Sequence, residues 1–461
     1  MDLSKYTPEI IKTLQKAVQI KTVQDTPVAN GPFGKGNKEC LEYILGVCKD
    51  LGFKVKNLDG YCGYAEVGSG DELVGIIGHL DVVPEGEGWK YPPYSGEIVD
   101  GEMWGRGTWD DKGPVVISIY AIKALMDSGF NFNKRVRLIF GCNEESGSLC
   151  VEHYLKVDEP ISYGVSPDSS FPVIFGEKSI NNIEITGTNK TNEGVKLLYL
   201  DSGIVINAVP DRCVFTLAYA CNNCKTKDIS NIEEYLNKNN IKFEVKDEDN
   251  KLTYTVYGKA AHGSIPECGV NAASFAICAL KNALNNDFVN FYYDCINTNV
   301  HGEKLGCFAE DEYGKIAVNV GLVHYENDKF SIKINSRLPF TTNNKKMVEQ
   351  INNTVKPYNV SVTLLSSSNG FIIDKNSIMI KSLVKAYQDV THDFESQPIC
   401  SAGGTYAREF TNCVAFGPEM EGYGEIIIHQ PNERIQIRAI EDIMKIYYKA
   451  YADLISKVSF K

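Results

Sequence analysis

The chain has 461 residues, of which 43% are hydrophobic and 23% are charged, and its formal net charge is −12. This composition excludes wholly disordered, collagen-like and low-complexity proteins, and the negative charge argues against binding to nucleic acid or anionic membranes. The sequence has no apolar signal segment at its start and no apolar run long enough to span a bilayer. We therefore expect a cytoplasmic globular protein.

The 14 cysteines are scattered along the chain, several of them in apolar runs, as expected of reduced thiols in the cytosol. Only Cys221 and Cys224 form a CxxC pair. A structural zinc site normally needs a second Cys or His pair nearby, so this pair is predicted to lie in a solvated turn.

Strand-like and helix-like segments alternate in the first part of the chain. The helices are predicted at 37–51, 114–129 and 148–156, and the buried strands at 73–83, 136–141 and 163–167. Such alternation is typical of an α/β fold with a mostly parallel sheet.

The middle of the chain has a different pattern. Apolar and polar residues alternate with period two in four segments, with helices between them, which predicts an α+β region of two ββαβ-like halves. The segments are 182–188, 214–219, 252–257 and 330–335, and the helices are 271–285 and 344–355. The stretch LLSSSNG (Leu364–Gly370) is predicted to be a linker.

Helix–strand alternation resumes after about residue 373, with segments predicted at 377–390, 413–417 and 438–458. We therefore predict one α/β domain, formed by 1–177 and 373–461, that is interrupted by an inserted domain over 178–372.

Acidic and histidine side chains follow the predicted strands of the α/β domain. They are His79 and Asp81 after the first buried strand, Asp110 and Asp111 in a tight loop before a helix, Glu144 and Glu145, Asp168, and His429 after the strand-like EIII. In open α/β sheets, ligands bind at the edge where the carboxyl ends of the strands meet. The pattern predicts that these side chains converge there.

Imidazole and carboxylate groups are ligands suited to Zn²⁺ or Mn²⁺. Several carboxylates at one place repel each other unless cations neutralise them, and a pair of ions that shares one bridging carboxylate achieves this. A further carboxylate that is not a ligand is needed to accept a proton from water. Each motif by itself has an ordinary explanation, such as a helix cap, a turn or a solvated helix start.

Nine motifs occur in an order that covers nearly the whole chain. They are GHLDVVP (78–84), GEMWGRGTWDDKGP (101–114), NEESG (143–147), SPDSSFP (166–172), NAVPD (207–211), AHGSIPECGVNAA (261–273), NSRLP (335–339), GGTYAR (403–408) and IHQPNE (428–433). On these motifs the chain resembles the M20 metallopeptidase family and, within it, the PepV-like dipeptidases of bacteria.

The resemblance implies a role for each matching residue. Asp110 would bridge two divalent metal ions, Zn²⁺ first with Mn²⁺ or Co²⁺ as alternatives. His79 and Asp168 would complete one ion site, and Glu145 and His429 the other. Glu144 would be the general base and then the general acid. Asp81 would orient His79, and the Asp110–Asp111 peptide bond would be cis.

The inserted domain would act as a lid in such enzymes. Its His262 would stabilise the oxyanion, and Asn207 and Arg337 would hold the substrate carboxylate. Gly404 of the α/β domain would offer its backbone to the substrate.

The implied activity is hydrolysis of unblocked dipeptides by a monomer, with no nucleic-acid or membrane partner. Two alternatives stay open. One is an N-acyl amino acid amidohydrolase of the same family, and the other is a peptide-binding protein that has lost catalysis.

Overall fold

The computed structural model describes residues 2–193, 195–219, 222–248 and 250–460. The chain folds into two compact units, one formed by Met1–Glu177 with Ile372–Lys461 (unit 1) and the other by Lys178–Phe371 (unit 2). Cys221 lies outside the described residues. The prediction of a turn is wrong for Cys224, which lies in a helix.

The first segment of unit 1 alternates helices and strands, after a short 3-10 helix at Ser4–Tyr6. The helices are α1 (Thr7–Val18), α2 (Lys35–Asp50), α3 (Lys112–Asp127) and α4 (Leu149–Val157). The strands are β1 (Lys54–Leu58), β2 (Cys62–Val67), β3 (Leu73–His79), β4 (Glu97–Val99), β5 (Glu102–Trp104), β6 (Arg135–Gly141), β7 (Tyr163–Ser166), β8 (Ser169–Ser170) and β9 (Ile174–Glu177).

Unit 2 is built mainly from strands. Its helices are α5 (Asn222–Lys238), α6 (Ala272–Leu280), α7 (Asp287–Cys295) and α8 (Asn344–Val355), with a 3-10 helix at Pro266–Cys268. The strands are β10 (Ser179–Thr188), β11 (Asn192–Glu193), β12 (Lys196–Ser202), β13 (Arg212–Ala218), β14 (Phe243–Glu248), β15 (Lys251–Tyr257), β16 (Asn285–Asn286), β17 (Glu310–Asp311), β18 (Gly314–Lys315), β19 (Ala317–Glu326), β20 (Lys329–Leu338) and β21 (Val360–Ser368).

The chain then returns to unit 1 and ends in a long helix. The last strands are β22 (Phe371–Ile372), β23 (Ile399–Ser401), β24 (Cys413–Ala415), β25 (Pro418–Glu419) and β26 (Arg434–Gln436). The helices are α9 (Ile378–Thr391) and α10 (Ile437–Lys457), with a 3-10 helix at Tyr406–Glu409.

The main sheet of unit 1 has the strand order β1-β2-β6-β3-β7-β24-β9, with β22 and β23 beside β9. Its central strands β6, β3, β7 and β24 are parallel to one another, whereas β1, β2 and β6 pair antiparallel. Every residue of β3 is buried, as expected for a strand covered on both faces. The predicted α/β fold with a mostly parallel sheet is confirmed.

The main sheet of unit 2 is antiparallel and has the order β14-β15-β13-β12-β19-β20-β10-β21. Buried and less buried residues alternate along β13 and β15, and the buried side chains form one core with those of α6 and α7. Pairing of β12 with β19 joins the two halves into one sheet. The second half follows the order β19-β20-α8-β21, whereas the first contains a further strand, in the order β12-β13-α5-β14-β15.

Two local predictions are wrong. Most of Leu364–Gly370 belongs to β21, where Ser366 and Ser367 pair with β10 at the edge of the sheet, so their polarity reflects exposure rather than a linker. The segment 425–428 before His429 is not a strand, although its three isoleucines favour one. Among the helices described, none combines the length and the apolar character needed to cross a membrane.

Candidate metal centre

Three neighbouring strands of unit 1 bring the candidate ligands to one edge of the sheet. His79 is the last residue of β3, Glu144 and Glu145 follow β6, and Asp168 follows β7. Because β6, β3 and β7 are adjacent and parallel, their carboxyl ends meet at the same edge, where ligands bind in open α/β sheets. Asp110 comes to this edge in the loop before α3.

His79 is fully buried, and its two ring nitrogens have different surroundings. Nδ1 lies 2.9 Å from the backbone oxygen of Asp81, and since that oxygen can only accept, Nδ1 carries a proton. Nε2 lies 2.9 Å from Oδ1 of Asp110 and 3.8 Å from Oδ2 of Asp168, yet it makes no hydrogen bond with the described residues. A buried ring nitrogen that faces two carboxylates is suited to a cation.

His429 approaches the same aspartate from the other side. Its Nε2 lies 2.8 Å from Oδ2 of Asp110 and 3.2 Å from Oε1 of Glu145. The two oxygens of Asp110 therefore face two different histidines. His429 has a left-handed backbone with φ 58°, and half of its side chain is exposed.

Charge is crowded at this edge of the sheet. Burial and the neighbouring Asp168 hold the pKa of Glu144 well above its usual range, and burial raises the pKa of Asp168 to about 7. Burial by itself would lower the pKa of His429, but its hydrogen bonds with Asp110 and Glu145 raise it to about 11. Divalent cations would relieve this repulsion.

Two groups of side chains have ligand atoms within 4.8 Å of one another: His79, Glu144 and Asp168, and His79, Asp110 and Glu145. Their donors are imidazole nitrogens and carboxylate oxygens, which suit Zn²⁺ and Mn²⁺. The residues at this edge therefore fit divalent metal ions.

Asp81 fixes the turn that carries the two glutamates. Its Oδ1 accepts a hydrogen bond from the backbone N–H of Glu144 and its Oδ2 one from that of Glu145, each at 3.1 Å. Asp81 contacts Nδ1 of His79 through its backbone oxygen at 2.9 Å and, at a longer distance, through its carboxylate, whose Oδ1 lies 3.6 Å away. The Asp110–Asp111 peptide bond is cis, as the resemblance implies, and Oδ2 of Asp111 accepts a hydrogen bond from the backbone N–H of His79 at 3.0 Å.

Glu433, for which the sequence predicts no role, is a fully buried carboxylate behind Asp110. Its Oε1 accepts hydrogen bonds from the backbone N–H groups of Gly107 and Trp109, and its Oε2 accepts one from Nη1 of Arg106 at 2.7 Å. Burial raises the pKa of Glu433 to about 7. Its position four residues after His429 is the one signal in the sequence, because its partners are more than 300 residues away.

Unit 2 contains the other candidate substrate residues. Asn207 and His262 lie on two neighbouring segments, joined by a β-bridge between Ala208 and His262 and by a hydrogen bond from the N–H of Gly263 to the oxygen of Asn207 at 2.7 Å. Nδ2 of Asn319 donates to the backbone oxygens of the residues on either side of Asn207, at 3.0 and 2.9 Å. The fold thus brings Asn207 and His262 together.

Arg337 lies in β20 and is buried. Its Nε donates to Oδ1 of Asn335 at 3.2 Å, and Nδ2 of Asn335 donates in turn to Oδ1 of Asn182 at 2.8 Å. These amides hold the guanidinium group in one orientation.

Gly404 lies in unit 1, in the loop after β23. The guanidinium group of Arg408 packs so closely that a Cβ atom at position 404 would lie 2.7 Å from its carbon. Nε of Arg408 donates to Oε2 of the buried Glu177 at 3.0 Å, and Nη2 donates to the backbone oxygen of Gly403 at 3.0 Å. A side chain at position 404 would therefore displace the guanidinium group of Arg408 from its contacts with Glu177 and Gly403.

The sequence also matches a known protein family. The model of peptidase family M20/M25/M40 matches residues 75–453. A protein of Staphylococcus haemolyticus, named "Putative dipeptidase", is 32% identical over 464 residues, covering 98% of this chain and 98% of its own.

Two solved structures share the fold at low sequence identity. Human carnosine dipeptidase 1 matches with a TM-score of 0.57 and 16% identity, covering 98% of this chain and 97% of its own. A tripeptidase from Staphylococcus aureus matches with a TM-score of 0.56 and 16% identity, covering 98% of this chain and 99% of its own.

Proposed function

The chain belongs to peptidase family M20/M25/M40, a family of metal-dependent peptide-bond hydrolases, and from this premise we propose that it is a dinuclear metallo-dipeptidase that cleaves unblocked dipeptides. One observation carries the proposal: the two carboxylate oxygens of Asp110 face Nε2 of His79 and Nε2 of His429 at 2.9 and 2.8 Å. A carboxylate with a different imidazole at each oxygen is suited to bridge two ions. The dipeptidase name of the relative that is 32% identical agrees with this activity.

In this proposal His79 and Asp168 hold one ion, Glu145 and His429 hold the other, and Asp110 bridges them. Zn²⁺ is our first choice because a nitrogen and oxygen site binds it more tightly than Mn²⁺ or Co²⁺. The bound ions would lower the pKa of water and polarise the scissile carbonyl group.

Glu144 is the proton carrier in this scheme. It takes a proton from the water molecule as the water oxygen bonds to the carbonyl carbon, and it then passes that proton to the leaving nitrogen as the C–N bond breaks. The environment of Glu144 supports this role, since burial and Asp168 raise the pKa of its carboxyl group, and a raised pKa favours proton transfer near neutral pH.

Unit 2 serves as the lid in this proposal. Arg337 and Asn207 bind the carboxylate of the dipeptide, His262 donates to the oxyanion, and Gly404 of unit 1 offers its backbone to the substrate. The amide–guanidinium contact between Asn335 and Arg337 supports the assignment, because an oriented guanidinium group binds a carboxylate with two parallel hydrogen bonds. Anchoring both ends of the substrate would restrict cleavage to dipeptides.

We also propose that the enzyme acts as a monomer in the cytoplasm. Ten of the described cysteines are buried, which agrees with thiols that pack as small hydrophobic side chains in a reducing compartment.

The test is hydrolysis of four compounds by protein that has been stripped with a chelator and then loaded with Zn²⁺ or Mn²⁺. The compounds are an unblocked dipeptide, its N-acetylated form, its amide and a tripeptide. We expect cleavage of the unblocked dipeptide only. Preference for the acetylated compound would instead identify an N-acyl amino acid amidohydrolase, and a lack of turnover with either ion would refute the proposal.

The Glu144→Gln variant tests the proton carrier. Because glutamine has the same shape but cannot accept the proton, we expect kcat to fall by about 10²–10⁴-fold while both ions stay bound. Unchanged kcat in this variant would show that another group moves the proton. Peptide binding without cleavage by the wild type, unaffected by Glu144→Gln, would identify a binding protein.

A further inference from the structure

Glu433 joins two segments that are far apart in the sequence. It lies four residues after His429 and directly before β26, which pairs antiparallel with β5. Its backbone oxygen accepts a hydrogen bond from the N–H of Gly105 at 3.0 Å. The segment that carries His429 is therefore attached by its backbone to the segment that leads to Asp110.

The Glu433 side chain continues this attachment into the metal centre. Its Oε1 accepts hydrogen bonds from the backbone N–H groups of Gly107 at 2.9 Å, Trp109 at 3.0 Å and Asp110 at 3.4 Å. Its Oε2 accepts a hydrogen bond from Nη1 of Arg106 at 2.7 Å. One carboxylate thus organises the whole loop from Arg106 to Asp110.

The negative charge of Glu433 is compensated by groups within this loop. The carboxylate is fully buried, and a buried charge is tolerated only when it is paired and hydrogen-bonded. Arg106 supplies the opposite charge and the backbone N–H groups supply the remaining hydrogen bonds. Glu433 therefore has a complete set of partners behind Asp110, while the carboxylate of Asp110 faces the two histidines on the other side.

We propose that Glu433 is a positioning residue that fixes the distance between Asp110 and His429 and so sets the affinity of the ion site formed by Asp110, Glu145 and His429. The proposal rests on the ligand assignment of the proposed function. Loosening of the loop would affect this site most, because both His429 and Asp110 depend on Glu433, whereas His79 and Asp168 are held by β3 and by the end of β7.

The experiment measures ion binding rather than turnover. Chelator-stripped protein is titrated with Mn²⁺, the number and affinity of the bound ions are measured by calorimetry, and electron paramagnetic resonance distinguishes a spin-coupled pair from a single ion. For wild type we expect two ions with a coupled spectrum. For Glu433→Gln we expect the ion at the site of Asp110, Glu145 and His429 to bind about 10–100-fold less tightly, which is the usual effect of losing a residue that supports a metal ligand. At equimolar Mn²⁺ we expect the spectrum of a single ion.

Glu102→Gln is the matched control. Glu102 pairs with Nε of Arg434 at 3.1 Å in the sheet formed by β26, β5 and β4. Among the described residues, its carboxylate contacts neither Glu433 nor the loop from Arg106 to Asp110. We expect this variant to bind both ions as the wild type does. If Glu433→Gln also binds both ions with unchanged affinity, or if Glu102→Gln loses the ion equally, the proposal is overturned.

Glu433→Asp decides the matter if the glutamine variant does not fold, because it keeps a negative charge beside Arg106 but shortens the side chain by one methylene group. We expect the same weakening of ion binding at the site of Asp110, Glu145 and His429. Retention of both affinities in a folded Glu433→Asp variant would overturn the proposal, as would a wild type that binds fewer than two ions. A wild type that binds two ions but cleaves no dipeptide would refute the proposed function alone.

Discussion

Replacement of Asp81 by asparagine separates two ways in which this residue contributes to the metal centre. The shorter contact with Nδ1 of His79, at 2.9 Å, comes from the backbone oxygen of Asp81, and Oδ1 of its carboxylate lies further away at 3.6 Å. A change of side chain leaves the shorter contact in place. The carboxylate instead holds the backbone N–H groups of Glu144 and Glu145. The variant should therefore disturb the glutamate turn more than it disturbs His79.

The size of the effect follows from the two hydrogen bonds. Each lies at 3.1 Å and ends on a charged oxygen that is buried. The amide of asparagine can accept one of them, and its NH₂ group then faces the other N–H. A hydrogen bond to a charged group contributes about 1.5–3 kcal/mol. If the loss of one such bond displaces Glu144 and raises the activation free energy by this amount, kcat falls about 10–150-fold.

The assay is steady-state hydrolysis of the unblocked dipeptide by metal-loaded Asp81→Asn, with ion binding measured on the same samples. The control is Ser146→Ala in the same turn, since Ser146 is exposed and its hydroxyl contacts Asn143 rather than Asp81. We expect kcat to change less than about threefold in the control. The reasoning is refuted if Asp81→Asn keeps wild-type kcat, or if it loses the ion bound by His79 first.

Two further predictions concern unit 2 and the pH dependence of stability. Asn319→Val removes the amide that donates to the backbone oxygens of Ile206 and Ala208. We expect the free energy of unfolding to fall by about 1–3 kcal/mol and KM to change more than kcat. An unchanged KM would contradict the role of Asn319 in positioning Asn207. The hydrogen bond from Lys21 lowers the pKa of Glu85 to about 2, from 4.5. The stability from this pair is therefore present above pH 4.5 and is lost as the pH falls towards 2. Between about pH 5 and pH 3 the wild type should lose about 1 kcal/mol more than Glu85→Gln in urea unfolding, and parallel pH profiles would refute the shift.

The parts of the fold that were predictable from sequence have strong local patterns. The apolar run of β3 and the buried helix α3 indicate an element buried on all sides, and the antiparallel strands β13 and β20 show clear alternation. The segment 425–428 does not form the predicted strand because apolar β-branched residues favour a strand only where a neighbouring strand is available to pair. Leu364–Gly370 is mostly strand rather than the predicted linker because an exposed edge strand can be rich in serine.

The residues of the candidate site also differ in how far the sequence predicts them. The convergence of His79, Glu144 and Asp168 could be predicted because each lies at or just after the end of a strand with a recognisable pattern. Glu433 and Asn319 could not, because their contribution lies in hydrogen bonds to the backbone of distant segments. Backbone N–H and C=O groups are common to all residues, so no residue type at the other end of the contact marks it in the sequence.

The strand order of unit 1 has a consequence for the time course of biosynthesis. β24, from the last part of the chain, lies between β7 and β9, which are made before unit 2. While the ribosome synthesises unit 2, β7 and β9 lack the neighbour that separates them, and such unpaired strand edges expose folding intermediates to aggregation. His429 and Glu433 emerge later still. We expect a nascent chain to acquire hydrolytic activity only after His429 and Glu433 are made, so that incomplete chains have no peptidase activity.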